Sequence, residues 1–90
     1  MNITKNQTKL LLAFSKNDHV RDDGWDSEDA AAWTDCLMDD MSREGIEKAS
    51  HGGVLNKAEE AGLLITYGEI NERVTILTDI GRKELAKIVE

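Results

Sequence analysis

The sequence predicts a mainly helical α+β domain with a small antiparallel β-hairpin before its last helix. Apolar residues recur at intervals of three and four in the first two thirds of the chain, which is typical of amphipathic helices. Gly62 follows the last of these patterns, where a left-handed helix cap is expected. Two short segments rich in β-branched residues come next, and Thr78 then precedes a further helical pattern.

The composition is that of one globular domain, spanning residues 1–90, with a modest core. Apolar residues make up 40% of the chain. No apolar run approaches the roughly 20 residues that a membrane span requires, so we expect no membrane partner. The lone Cys36 cannot form an internal disulfide, which favours a reducing, cytoplasmic location. The small size and type also suggest an origin in a mobile element.

The net charge of −7 is concentrated in one part of the sequence. Residues 1–17 contain three lysines and no acid, and residues 41–90 have a charge of −2. Residues 18–40 contain one basic side chain and nine acidic ones. The nine acids are Asp18, Asp22, Asp23, Asp26, Glu28, Asp29, Asp35, Asp39 and Asp40.

A first helix is predicted over about residues 5–15. Thr4 and Gln7 have the spacing of a capping box, in which each side chain accepts a hydrogen bond from the other residue's backbone amide. Leu10 and Phe14 follow at helical spacing. Residues 16–25 are polar and include a glycine, so they predict a loop.

A second amphipathic helix is predicted to begin near Ser27, or Asp26, and to end near Asp40. Its apolar stripe comprises Ala30, Trp33, Leu37 and Met41, and we expect Trp33 in the core. Its outer face is acidic. Trp25 lies where the loop meets this helix, and there it either packs against the junction or anchors a partner.

A third helix is predicted over residues 50–61, with Val54, Ala58 and Ala61 on its buried face. Glu47 would fall on the same face, so we expect a break or a helix start at residues 47–50. Gly52 and Gly53 each cost roughly 1 kcal/mol relative to alanine within a helix. They indicate a helix start, crowding between helices, or close approach by a partner.

The hairpin is predicted from strand-like residues 64–67 and 73–77 with a turn at 68–72. Thr78 should cap a final helix over about residues 79–89. The candidate core contacts of that helix are Ile80, Leu85 and either Ile88 or Val89.

This order of elements is that of a winged helix, with a three-helix core, a β-hairpin wing and a C-terminal helix. The segments at 54–64, VLNKAEEAGLL, and 74–85, VTILTDIGRKEL, resemble regulators of the multiple-antibiotic-resistance (MarR) type. The resemblance implies that the third helix enters the DNA major groove and that the wing reaches a neighbouring minor groove. The long dimerisation helices of full regulators are absent from this sequence, so a monomer or small homo-oligomer is expected.

The acidic charge of residues 18–40 favours a basic protein partner over DNA. A helix that presents regularly spaced carboxylates can engage a basic protein or imitate a phosphate backbone. The leading hypothesis is therefore a winged-helix protein-interaction module, an inhibitor or adaptor with a basic partner. Its candidate contact residues are Asp22, Asp23, Trp25, Asp26, Asp35, Asp39 and Asp40.

The alternative is a sequence-specific DNA-binding regulator that uses the third helix and the wing. Asparagine pairs with adenine edges, and basic side chains neutralise phosphates. The candidate contact residues are Arg43, Lys48, Asn56, Lys57 and Arg73. The acidic second helix and Glu69 and Glu72 at the wing tip disfavour this hypothesis.

Catalysis, cofactors and metal ions are not expected. Cys36 has no adjacent cation of the kind that activates a catalytic thiol. Aligning Gly24 with the glycine of a calcium-binding EF-hand loop places Ala30 where a bidentate glutamate is required. The sequence therefore predicts a non-enzymatic protein that acts by binding a macromolecule.

Overall fold

The computed structural model describes residues 2–69 and 71–89. Its helices are α1 (Lys5–Lys16), α2 (Asp18–Asp23), α3 (Thr34–Arg43), α4 (His51–Glu60) and α5 (Asp79–Val89), with a short 3₁₀ turn at Lys48–Ser50. Its strands are β1 (Ala31–Trp33), β2 (Leu64–Tyr67) and β3 (Val74–Leu77). The order of elements confirms the predicted winged helix, in which α3 and α4 are followed by the β2–β3 wing.

Helix α1 begins with the predicted capping box. The Gln7 amide donates to Thr4 Oγ1 at 3.0 Å, and the Thr4 amide donates to Gln7 Oε1 at 2.9 Å. The helix buries Leu10, Leu11 and Phe14 almost completely. Burial of three large apolar side chains makes α1 the centre of the core, which α3, α4 and α5 contact.

Helix α2 replaces most of the loop predicted over residues 16–25, so that prediction was wrong. Asn17 caps this helix, since its Oδ1 accepts from the amides of His19 and Val20 at 3.1 and 3.3 Å. Val20 is fully buried and anchors the short helix to the core. The helix ends at Gly24, where φ is +87°. One buried residue in a polar segment gives no periodic pattern, which explains why the sequence did not indicate a helix.

Strand β1 occupies the start of the predicted second helix. Its residues pair with β3 in antiparallel register, with Ala32 opposite Thr75, and the helix begins only at Thr34. Ser27 caps a turn instead of a helix, because its Oγ accepts from the Asp29 amide at 3.1 Å. The expectation that Trp33 lies in the core is also wrong, because the strand directs this side chain outward and leaves it 48% exposed.

The sheet has the strand order β1–β3–β2, and one of its faces packs on the helices. The predicted hairpin is confirmed, with its second strand beginning at Val74 rather than at residue 73. On the packed face, Thr75 Oγ1 lies 3.0 Å from Thr34 Oγ1 and 3.1 Å from Thr66 Oγ1. These hydroxyl contacts join the central strand to the start of α3 and to β2.

The end of α4, the base of the wing and the start of α5 meet at one junction. Gly62 has the predicted left-handed conformation, with φ of +79°. The Thr78 amide donates to the Leu63 carbonyl at 3.1 Å, and the Thr78 hydroxyl donates to the Gly62 carbonyl. The predicted cap of α5 is confirmed, because the Gly81 amide donates to Thr78 Oγ1 at 3.0 Å.

Gly81 lies against the Leu63 carbonyl, and a Cβ at this position would overlap that oxygen. Because Gly81 and Leu85 face inward, Ile80 is turned away and is 47% exposed. The expectation that Ile80 contacts the core was therefore wrong. Ile88, rather than Val89, packs against the core.

The break predicted at residues 47–50 is confirmed, since Glu47 is extended and the 3₁₀ turn follows it. Within residues 2–69 and 71–89, no helix has the length and apolar character needed to cross a membrane.

Replacement of Gly81 by alanine should destabilise the fold strongly. The added methyl group overlaps backbone that cannot move without displacing the wing, and such overpacking lowers the free energy of unfolding by about 3 kcal/mol. Urea denaturation followed by circular dichroism measures this change. A stability equal to that of the unmodified protein would show that the junction has room that the structure does not show.

Candidate macromolecular interface

Helices α3 and α4 are joined by a tight connection that includes Gly45, whose φ is +91°. His51, the first residue of α4, is buried and fixes the start of that helix. Its Nε2 lies 3.2 Å from the Ile46 carbonyl oxygen and 3.1 Å from Ser42 Oγ. Because a carbonyl only accepts, Nε2 donates to Ile46. The sequence did not indicate this role, since a single histidine has no recognisable spacing.

Gly52 and Gly53 lie in the first turn of α4, and both are exposed. Apart from the adjacent residues and the backbone of α4 itself, no atom of the described residues lies within 4 Å of a Cβ built on either glycine. Crowding between helices is therefore excluded as the reason for these glycines. The helix start is confirmed, and it presents bare backbone to the surroundings.

Asn56 and Arg73 line one groove between α4 and the wing. This groove has a volume of about 440 Å³, and Gly52 and Tyr67 also line it. Asn56 follows Gly52 by four residues, so both lie on the same side of α4. The structure therefore brings together two of the predicted DNA-contacting side chains and one of the exposed glycines.

Lys57 lies on a different side of α4. It lines a groove of about 450 Å³ together with Lys5, Ser50 and Gly53, between α4 and the start of α1. The N-terminal lysines were candidates for contacts with the DNA backbone, but the sequence did not place Lys5 beside Lys57. The helical spacing of Gly53 and Lys57 gives no information about the distant α1 terminus.

Lys48 and Arg43 are held beside acidic side chains. Lys48 lines a groove of about 460 Å³ with Asp35 and Asp39 on α3. Arg43 donates to Asp40 Oδ1 at 2.6 Å. The five basic and amide residues predicted to contact DNA thus do not form one continuous surface.

Asp35 and Asp39 are exposed on α3, as the predicted acidic face requires. Asp40 does not belong to that open face, because its side chain is only 12% exposed. Its Oδ2 accepts from Asn17 Nδ2 at 2.9 Å, and Asn17 in turn caps α2. Asp40 therefore links α2 to α3, and its expected exposure is corrected.

Asp22, Asp23 and Asp26 are exposed around the end of α2 and the turn that follows. Trp25 is half-buried and packs against the core, so it fastens the junction at which it lies. Across the described ranges 2–69 and 71–89, no ion pair involves these three aspartates, Asp35 or Asp39. Their negative charges therefore face solvent.

Comparison with protein-family models and with curated proteins gives no match. Among solved structures, the chain is similar to BpsR of Bordetella bronchiseptica, a protein whose DNA binding is regulated by 6-hydroxynicotinic acid. The TM-score is 0.67 and the sequence identity is 22%. The similarity covers 98% of this chain and 53% of that chain, so this chain spans about half the length of BpsR.

The similarity to BpsR, which is a MarR-family regulator, confirms the winged-helix fold. The resemblance that the segments 54–64 and 74–85 indicated is thus a resemblance of fold. At 22% identity, the function of this chain has to be argued from its own residues.

Asp40→Ala should lower the free energy of unfolding by about 1–3 kcal/mol, because it leaves the buried Asn17 amide without an acceptor. The matched change Asp39→Ala, one residue earlier on α3, should alter stability by less than about 0.5 kcal/mol. Urea titration of both variants measures the difference. Equal effects would contradict a structural role for Asp40.

Proposed function

We propose that this chain is a DNA-binding regulator whose helix α4 enters the major groove. The supporting observation is the exposed pair Gly52 and Gly53 in the first turn of α4, with open space at both Cβ positions. In helix-turn-helix proteins the first residues of the recognition helix contact base edges. Each glycine destabilises a helix relative to alanine, and the neighbouring side chains of residues 2–69 and 71–89 leave room for a Cβ at both positions. Close approach of DNA to the α4 backbone would explain why glycine occurs at both positions.

The side chains that follow on α4 suit this arrangement. Asn56 lies one turn after Gly52, and an asparagine amide can form two hydrogen bonds with adenine. Arg73 lines the same groove from the wing, where its guanidinium can bind a phosphate. Lys57 and Lys5 lie on the other side of α4 and can bind phosphates there.

The charges around α4 and the wing predict a modest affinity for DNA. Asp35 and Asp39 lie near the start of α4, and Glu69 and Glu72 are exposed on the wing. These carboxylates repel phosphates and restrict the number of neutralised charges. With three cations engaged, the logarithm of affinity should fall with the logarithm of salt concentration with a slope of about −3. Base contacts then have to supply most of the specificity.

Asn56→Ala should weaken binding to a preferred sequence by about 10- to 100-fold, the loss expected for one bidentate base contact. A duplex selected from a random-sequence pool serves as the DNA, with fluorescence anisotropy at two salt concentrations as the measurement. Arg73→Ala should weaken binding to selected and random duplexes alike and reduce the salt slope by about 1.

Lys83→Ala is the matched control, since Lys83 is an exposed residue of α5. It should leave DNA affinity unchanged. Failure to enrich any sequence, or an equal loss in the Lys83 variant, would contradict the proposal.

Gly52→Ala and Gly53→Ala should stabilise the protein and weaken its binding to DNA. Alanine gains about 0.5–1 kcal/mol in a helix at a position with free space, which raises the melting temperature by about 4 °C. The added methyl groups would meanwhile keep the α4 backbone from its close approach to DNA. Thermal denaturation and anisotropy measure the two effects. Higher stability with unchanged affinity would show that the glycines have no role in binding.

A second candidate is the acidic protein-interaction module with a basic partner. It is favoured by the exposure of Asp22, Asp23, Asp26, Asp35 and Asp39, none of which has an ion-pair partner in the described part of the chain. Such a set of carboxylates complements a basic protein surface.

The double change Asp35→Asn and Asp39→Asn separates the two candidates. Removal of two negative charges beside α4 should strengthen binding to DNA, whereas it should weaken binding to a basic protein. Anisotropy with the selected duplex measures the first effect. Capture from host-cell lysate after nuclease treatment, with and without the double change, measures the second.

A further inference from the structure

The outer face of the sheet, opposite the face that packs on the core, is apolar in every described position of two cross-strand rows. The register places Ala31 beside Ile76 and Ile76 beside Ile65. In the second row, Val74 lies between Trp33 and Tyr67. The side chains of Trp33, Ile65 and Tyr67 are 48%, 47% and 52% exposed. We call these six residues the outer sheet face.

The apolar outer face departs from the usual pattern. An antiparallel sheet with one face in water normally has polar residues on that face and apolar residues on the other. Here the packed face buries Ala32, Leu64 and Leu77 beside the hydroxyls of Thr75 and Thr66, and the outer sheet face is apolar as well, with two aromatic rings and three β-branched side chains. A contiguous exposed apolar surface of this kind is typical of a binding site.

We propose that the outer sheet face binds a basic amphipathic helix of another protein. Its three strands span about 10 Å, which matches the diameter of one helix. Tryptophan and tyrosine are the residues that most often anchor such contacts. The leucine- or isoleucine-rich side of the partner helix packs on Trp33, Ile65 and Ile76, and its lysines or arginines lie at the margins.

Charge complementarity identifies the partner as basic. At the β1 margin, Asp23 and Asp29 line the same hollow as Trp33 and Val74, together with His19. At the wing margin, the exposed Glu69 follows Tyr67 by two residues in the sequence and the exposed Glu72 precedes Val74 by two, whereas Arg73 lines the groove beside α4. A second copy of this chain would bring two acidic margins together, and each chain has a net charge of −7. Repulsion between like charges therefore disfavours self-association through this face.

The proposal extends beyond DNA binding and does not depend on it. Thr34 and Thr66 line the groove between α4 and the wing, whereas Trp33 and Ile65 point to the opposite side of the sheet. Tyr67 borders both surfaces, so a test of the outer sheet face should use Trp33 and Ile65.

The test uses the full chain and a synthetic helical peptide of about 18 residues with leucines on one side and lysines along the flanks. Isothermal titration should detect binding, and Ile65→Ser and Trp33→Ser should each weaken it at least tenfold. Ile80→Ser is the matched control, because Ile80 is 47% exposed but lies on α5. Circular dichroism checks that each variant is folded.

Two further comparisons test which carboxylates of the protein contact the lysines of the peptide. Asp23→Asn with Asp29→Asn should weaken peptide binding about threefold to tenfold, whereas Glu47→Gln with Glu60→Gln, which removes one exposed carboxylate before α4 and one at its end, should not change it. A peptide with glutamates in place of the lysines should not bind. Equal loss in the Ile80 variant, equal binding of the glutamate peptide, or saturation of the face by a dimer of this chain would overturn the proposal. The Ile65→Ser variant should bind DNA with unchanged affinity. The peptide experiment can therefore fail while the DNA-binding proposal holds, and the reverse is also possible.

Discussion

The contact between the Leu63 carbonyl and Gly81 fixes the relation between α4 and the wing. Thr78 completes it, since its amide donates to Leu63 and its hydroxyl bridges the Gly62 carbonyl and the Gly81 amide. Gly62 follows α4, and Thr78 directly follows β3. The groove that holds Asn56 and Arg73 lies between these two elements, so its shape depends on this junction. A side chain at position 81 would overlap the Leu63 carbonyl and push α5 away from the connection between α4 and β2.

The helix ends that the sequence predicted correctly depend on chemistry within four residues. The capping box of Thr4 and Gln7, the left-handed Gly62 and the Thr78 cap are all of this kind. Strand β1 depends instead on β3, which lies more than 40 residues later in the chain. No local pattern encodes that pairing, so helical spacing placed Trp33 in the core although the strand turns it outward.

The candidate interface shows the same division between local and distant information. Helical spacing was sufficient to predict that Asn56 and Lys57 face outward. It did not show that they line different grooves, because α1 bounds one groove and the wing bounds the other. The role of Asp40 was also hidden, since its hydrogen-bond partner Asn17 lies 23 residues away. The amino-acid composition shows how many acids there are, and only the fold separates the largely covered Asp40 from the exposed carboxylates.

The central claim is that the first turn of α4 is the surface that meets DNA. Titration of the isotope-labelled protein with a selected duplex, followed by amide NMR, tests it at single residues. The account predicts the largest shifts at Gly52, Gly53 and Asn56, with Ala31 and Ile65 on the outer sheet face unchanged. Shifts confined to the sheet and the acidic residues 22–29, with α4 unperturbed, would contradict it.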